Sequence, residues 1–241
     1  MIEQRLALKG VYKSISGRNI LSDITFSVGK KEIVGLLGPN GAGKTTAFYI
    51  SAGLLIPEQG TVFINGEGVT NLPMHIRSRL GLSYLPQEAS IFSDLTVEEN
   101  LNGIAELKIK TVSERRKFID MVVCEFNLNK ILKQKGRMLS GGQRRKVEIA
   151  RTLACNPSML LLDEPFAGID PIAIEEIKEL LGQIVAKDIS ILITDHNIRE
   201  TLNLCNRAII MDAGKVIAEG SSQELIANNL VKKTYFGNMY N

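Results

Sequence analysis

The chain contains no tryptophan, and aromatic residues make up only 5% of its 241 positions. An extensive base-stacking surface is therefore not expected. Neither charge sign is in excess: 29 Lys and Arg face 26 Asp and Glu, a net charge of +3. So balanced a chain gives no reason to expect a nucleic-acid partner. Cysteine is scarce, with only Cys124, Cys155 and Cys205. An odd number, spread far apart and without metal-ligand spacing, is expected of reduced core thiols in a cytosolic protein. Long apolar runs are missing too. The stretch from Thr45 to Pro57 is uncharged, but it falls short of the roughly 20 residues that span a bilayer. Met1 to Arg5 holds no apolar segment resembling a signal peptide. No internal repeat, low-complexity tract or linker stands out. What is present, 44% hydrophobic and 23% charged residues, describes an ordinary globular chain, expected to form one compact domain.

Apolar runs near Ile33–Leu37, Thr61–Ile64, Met159–Leu162, Ile189–Thr194 and Ala208–Met211 read as strands. Several are continuous enough for parallel strands buried on both faces. Asp170-Pro171 opens a helix, and Ile174, Ile177, Leu181 and Ile184 repeat at helical spacing, so this segment is a strand–helix–strand crossover in an α/β fold. Asp212-Ala213-Gly214 reads as a hairpin turn. Residues near 4–28 alternate apolar and polar as antiparallel strands do. The charged, helix-periodic stretch from about Thr96 to Lys133 predicts an inserted helical subdomain.

Gly38-Pro39-Asn40-Gly41-Ala42-Gly43-Lys44-Thr45 matches the G-x-x-x-x-G-K-[ST] phosphate loop, and it lies between a strand and a helix opening at Lys44. The glycines bring backbone amides against phosphate, the helix N-terminus adds positive charge, and Thr46 follows in the first turn. Lys44 would reach the β- and γ-phosphates, and Thr45 would ligate Mg²⁺. Leu160-Leu161-Leu162-Asp163-Glu164 places two carboxylates at a strand's carboxyl end, where α/β sheets bind ligands. Asp163 is suited to Mg²⁺, and Glu164 to activating a water against the γ-phosphate.

Ser140 and Gln143 of Leu139-Ser140-Gly141-Gly142-Gln143 fit a helix capping box. Two glycines in a first turn cost up to about 1 kcal/mol each against alanine, so capping alone does not call for Gly141 and Gly142. Beside a serine donor they make a second phosphate-approach surface. The order of phosphate loop, Gln87, LSGGQ, LLLDE and His196 resembles the nucleotide-binding subunits of ABC transporters over nearly the whole chain. That resemblance implies a P-loop NTPase with a RecA-like core, an N-terminal antiparallel β subdomain, a helical subdomain over about 93–150 and a C-terminal tail over about 222–241. It further implies ATP and Mg²⁺ as cofactors and a head-to-tail homodimer. ATP would then lie between the phosphate loop of one subunit and Ser140, Gly141, Gly142 and Gln143 of the other.

Further roles rest on the resemblance alone. Tyr12 corresponds to the aromatic that stacks on adenine, and Gln87 to the glutamine that senses Mg²⁺ and the attacking water. Asp170 corresponds to the residue that crosses the dimer interface, and His196 to the switch histidine at the γ-phosphate. The segments 84–92, 163–171 and 194–201 resemble the ATPase subunits of bacterial lipopolysaccharide-export transporters. The alternatives are a branched-chain amino-acid-type importer ATPase and a soluble ABC ATPase without a transport role. If the export resemblance holds, two transmembrane permeases dock near Leu72, Met74 and Phe92, with Phe92 equally readable as core, and the chain sits peripherally on the cytoplasmic face of the inner membrane. Two departures from the family pattern stand out. Ser93-Asp94 replaces basic residues, and Lys31 replaces a glycine before the phosphate-loop strand.

Overall fold

The computed structural model describes residues 4–237, so the last residues of the expected tail, Asn238 to Asn241, lie outside it. In chain order the elements are β1 (Gln4–Ile15), β2 (Arg18–Gly29), β3 (Ile33–Leu37), α1 (Lys44–Ala52), β4 (Gln59–Ile64), β5 (Glu67–Gly68), α2 (Met74–Arg79) and β6 (Leu82–Leu85). Then follow α3 (Val97–Lys108), α4 (Val112–Glu125), α5 (Gly141–Leu153), β7 (Met159–Asp163), α6 (Pro171–Ala186), β8 (Ser190–Thr194), α7 (Ile198–Leu204), β9 (Arg207–Asp212), β10 (Lys215–Gly220) and α8 (Ser222–Ala227).

Two sheets form. One has the order β2-β1-β4-β5 and pairs antiparallel throughout. The other has the order β10-β9-β3-β8-β7-β6, parallel except where β10 returns along β9. Every residue of β3, β7 and β8 is buried, as uninterrupted apolar strands between covering layers should be. Thr61–Ile64 belongs instead to the antiparallel sheet, because β4 lies against β1 in the register Leu6↔Ile64.

The crossover α6 buries Ile174, Ile177, Leu181 and Ile184, the positions its spacing predicts. Ala213 and Gly214, both at positive φ, make the two-residue turn between β9 and β10. Leu101 of α3 and Ile119 and Val122 of α4 pack into the same cluster as Val147 of α5, Leu160 and Leu162 of β7 and Ile177 of α6. The helical segment is thereby seated on the flank of the parallel sheet. Beyond Ser222, Leu225, Val231 and Phe236 are buried in a further cluster with Leu37 and Ile210.

Candidate functional site

The adjacent parallel strands β3, β8, β7 and β6 end on one edge of the sheet, and at or just beyond their carboxyl ends lie residues singled out from sequence: the phosphate loop, His196, Asp163 with Glu164, and Gln87. A cavity of about 280 Å³ on this edge is lined by Asn40 through Thr46 together with Asp163, Glu164 and His196. Ile20 and Thr194 also line it, and the sequence did not mark them. Tyr12, Gln87, Ser140 and Asp170 are not among its walls.

Two loop glycines have no substitute. A Cβ on Gly38 would sit 2.1 Å from the Met211 carbonyl oxygen, and one on Gly43 would sit 2.7 Å from Leu21 Cδ2. Gly43 is also the N-cap of α1 and offers no capping side chain, so first-turn amides stay open to an anion. Lys44 Nζ donates to the carbonyls of Gly38 at 2.7 Å and Pro39 at 2.9 Å. Burial pulls its ammonium below the ordinary lysine range, against the opposing attraction of Glu164.

Asp163 closes β7 and is only 5% exposed. Its Oδ2 accepts from the Tyr84 hydroxyl at 3.3 Å, while its backbone carbonyl accepts from Arg145 Nη2 at 2.8 Å. Burial pushes the Asp163 carboxyl above the usual carboxylate range; the Tyr84 bond opposes this and the Glu164 charge adds to it. Burial and the adjoining Asp163 carboxylate raise the Tyr84 phenol in turn, so it remains a donor. Glu164 holds φ 45°, a left-handed conformation that costs a non-glycine residue on the order of 1–3 kcal/mol and persists only where its surroundings over-determine it. They do so here. The Glu164 amide donates to the Thr194 carbonyl at 2.7 Å. Its Oε2 accepts from Gln87 Nε2 at 2.7 Å, and its Oε1 lies 2.7 Å from His196 Nε2. Asp195 anchors both flanking loops, accepting from the Phe166 amide at 2.9 Å and the Asn197 amide at 2.8 Å.

Ser140 caps α5 with the reciprocal Ser140–Gln143 bonds of a capping box. Gly142 proves to have a local reason as well: a Cβ there would lie 2.4 Å from the Ala173 Cβ. The close approach of α5 to α6 therefore demands this glycine irrespective of any phosphate, a packing reason beside the phosphate approach expected from sequence. Gly141 shares a pocket of about 30 Å³ with Gln87 and Glu164. Asp170 caps α6 by accepting from the Ala173 amide at 3.0 Å.

A buried ion pair went unmarked in the sequence. Arg145 and Glu148, 3.2 Å apart on α5, are 5% and 2% exposed. Arg145 also donates to the Pro86 carbonyl at 2.9 Å. Glu148 accepts from the amides of Ser90 at 2.8 Å and Ile91 at 3.2 Å. The helix that follows Ser140 thus grips the Gln87 loop on both sides, as well as the end of β7. The one signal available was a glutamate amid Val147, Ile149 and Ala150.

A second groove, about 220 Å³, is walled by Met74, Tyr84, Leu85, Pro86, Ile104 and Arg151, among others. Phe92 is 52% exposed, with the Arg151 guanidinium 4.9 Å from its ring centre; it is surface, not core. Leu72 packs against the core beneath. Asp94 pairs with Arg137 at 3.0 Å. Of the cysteines, Cys124 is exposed and Cys155 lines this groove, so neither is the expected core thiol. Burial does raise the Cys205 thiol.

The residues suit a magnesium ion held jointly with phosphate. Asp163 Oδ2 is engaged by Tyr84, and among the described residues no hydrogen-bond donor reaches its Oδ1. Thr45 opens onto the same cavity. No group of three or more His, Cys, Asp or Glu among the described residues forms a complete metal cage, and Mg²⁺ shared with substrate phosphates needs none. No helix among the described residues is long and apolar enough to cross a membrane.

The sequence profile of the ABC transporter family matches residues 21–167. The lipopolysaccharide export system ATP-binding protein LptB of Haemophilus influenzae is 49% identical over 236 residues, which is 98% of each chain. A solved nucleotide-free ATP-binding cassette from an ABC transporter superposes with a TM-score of 0.88 at 27% identity, covering 97% of this chain and 99% of that one. A dimeric, post-hydrolysis cassette bound to ADP and Pi gives 0.79 at 26% identity, covering 90% and 98%. With its phosphate loop, acidic pair and LSGGQ helix in one fold, the chain belongs to the ABC transporter family as one of its ATP-binding subunits.

Proposed function

We propose that this ATPase subunit drives lipopolysaccharide export from the bacterial inner membrane, as a homodimer docked beneath two transmembrane permeases on the cytoplasmic face. The observation that carries the catalytic part is the Glu164 carboxylate, held at 2.7 Å by both Gln87 and His196 at the mouth of the phosphate cradle. The transported substrate is inferred from the 49% identity to the Haemophilus protein.

In this reading Lys44 and the backbone amides of Gly38 and of residues 40–46 bind the β- and γ-phosphates. Thr45 and Asp163 would hold Mg²⁺, with Gln87 in reach of it once released from Glu164, and the ion would neutralise phosphate charge. Glu164 takes the proton of the attacking water, and the γ-phosphoryl passes to that water oxygen as ADP leaves. His196 turns from Glu164 to the γ-phosphate. Ser140 is absent from the cradle of its own subunit, so a second copy, related by a twofold axis, brings Ser140, Gly142 and Asp170 to the nucleotide. Tyr12 supports the adenine. A cytoplasmic helix of each permease occupies the groove at Met74, with Phe92 and Leu72 flanking it.

Affinity capture of the tagged chain from gently solubilised membranes tests the assignment. Recovery of lipopolysaccharide-export permeases is expected. Recovery of amino-acid permeases would overturn the substrate and leave the ATPase chemistry standing.

A further inference from the structure

Tyr84 stands where three parts of the molecule meet. It lies on β6, an edge strand that pairs with β7 in the register Tyr84↔Leu161. Its ring packs against Phe48 of α1, the helix that Lys44 begins, with 6.2 Å between ring centres. Its side chain contributes to the wall of the groove at Met74 and to a separate cavity of about 320 Å³ shared with Asp163 and Gln87. Its hydroxyl is 3.3 Å from Asp163 Oδ2. Among the described residues that hydroxyl is the only hydrogen-bond donor to the Asp163 carboxylate. It therefore decides which oxygen is engaged and which, Oδ1, is left to face a cation.

We propose that Tyr84 is a positioning residue for metal binding: its hydroxyl fixes the Asp163 carboxylate so that Oδ1 is presented to the divalent ion held with ATP. The inference rests on the ATPase reading above and adds a residue to it. Partners that orient a metal-ligating group are typically worth 10–100-fold in metal affinity, and the length of this contact places the effect at the lower end.

The test is Tyr84→Phe in the full chain, with Mn²⁺ as a spectroscopic stand-in for Mg²⁺. Electron paramagnetic resonance titrations in the presence of ATP should show Mn²⁺ affinity about tenfold weaker than in the unmodified chain. ATP binding in EDTA should be unchanged within twofold, the melting temperature should stay within a few degrees, and saturating Mg²⁺ should restore turnover. Mn²⁺ affinity within twofold of the unmodified chain would overturn the proposal. So would lost turnover that excess Mg²⁺ does not restore, which assigns the ring a packing role. If the unmodified chain takes up no Mn²⁺ with ATP, it is the underlying site reading that fails.

Discussion

The His196 imidazole and the Glu164 carboxylate meet at 2.7 Å, Nε2 to Oε1, across the gap between β8 and β7. Neither strand alone specifies the contact. It forms because β8 lies between β3 and β7, which delivers His196 beside the carboxylate and the phosphate loop together. His196→Ala removes one of two side-chain partners of Glu164 without touching the phosphate loop. Turnover is expected to fall by roughly 10²-fold or more, with ATP affinity retained within a few-fold, as steady-state kinetics and nucleotide titration would measure.

Glu148→Ala leaves the Arg145 guanidinium buried with its charge uncompensated, and removes the acceptor of the Ser90 and Ile91 amides. Breaking a buried pair from one side costs about 3–5 kcal/mol. For a chain of this size that is a fall in melting temperature of roughly 6–20 °C. Replacing both residues by apolar ones of similar volume should cost less than the single change, and calorimetry on the single and double variants decides it.

Asp163 sets a pH signature. Its folded-state pKa is raised, first by burial, so protonation favours the fold. That stabilisation is complete below the unfolded carboxylate pKa of about 3.9 and is lost as pH rises through the folded value. At pH 7 the ionised carboxylate therefore weakens the fold. Asp163→Asn should raise the melting temperature at pH 7, with the gain shrinking as pH falls through the folded titration. A gain independent of pH would contradict this.

Several features were legible because their causes are local. The phosphate loop, the β9–β10 turn, the apolar stripe of α6 and the capping box at Ser140 each follow from spacing within a few residues. What escaped depends on partners distant in the chain. Leu82–Leu85 is a short run broken by Ser83 and Tyr84, and only its pairing with β7 makes it a strand. The apolar run at Thr61–Ile64 carried no mark of which sheet it would join. Arg145 and Glu148 look like any charged helix face until the Gln87 loop covers them. Gly142 answers to Ala173, thirty-one positions on by residue number.

Lys31 holds φ 53°. A left-handed backbone penalises a side chain that glycine does without. Lys31→Gly should therefore stabilise the chain by roughly 0.5–1 kcal/mol, and Lys31→Ala should not. Denaturant midpoints would separate the two.

The proposed role of Glu164 is that of the base in an ATP-hydrolysing site completed by a second subunit. Its most direct test is Glu164→Gln, read by phosphate release and by sedimentation with ATP and Mg²⁺. The variant keeps the shape of the side chain but cannot take a proton. It should bind ATP, accumulate as a dimer and lose nearly all turnover. Near-normal turnover would remove Glu164 from the base role and contradict the account.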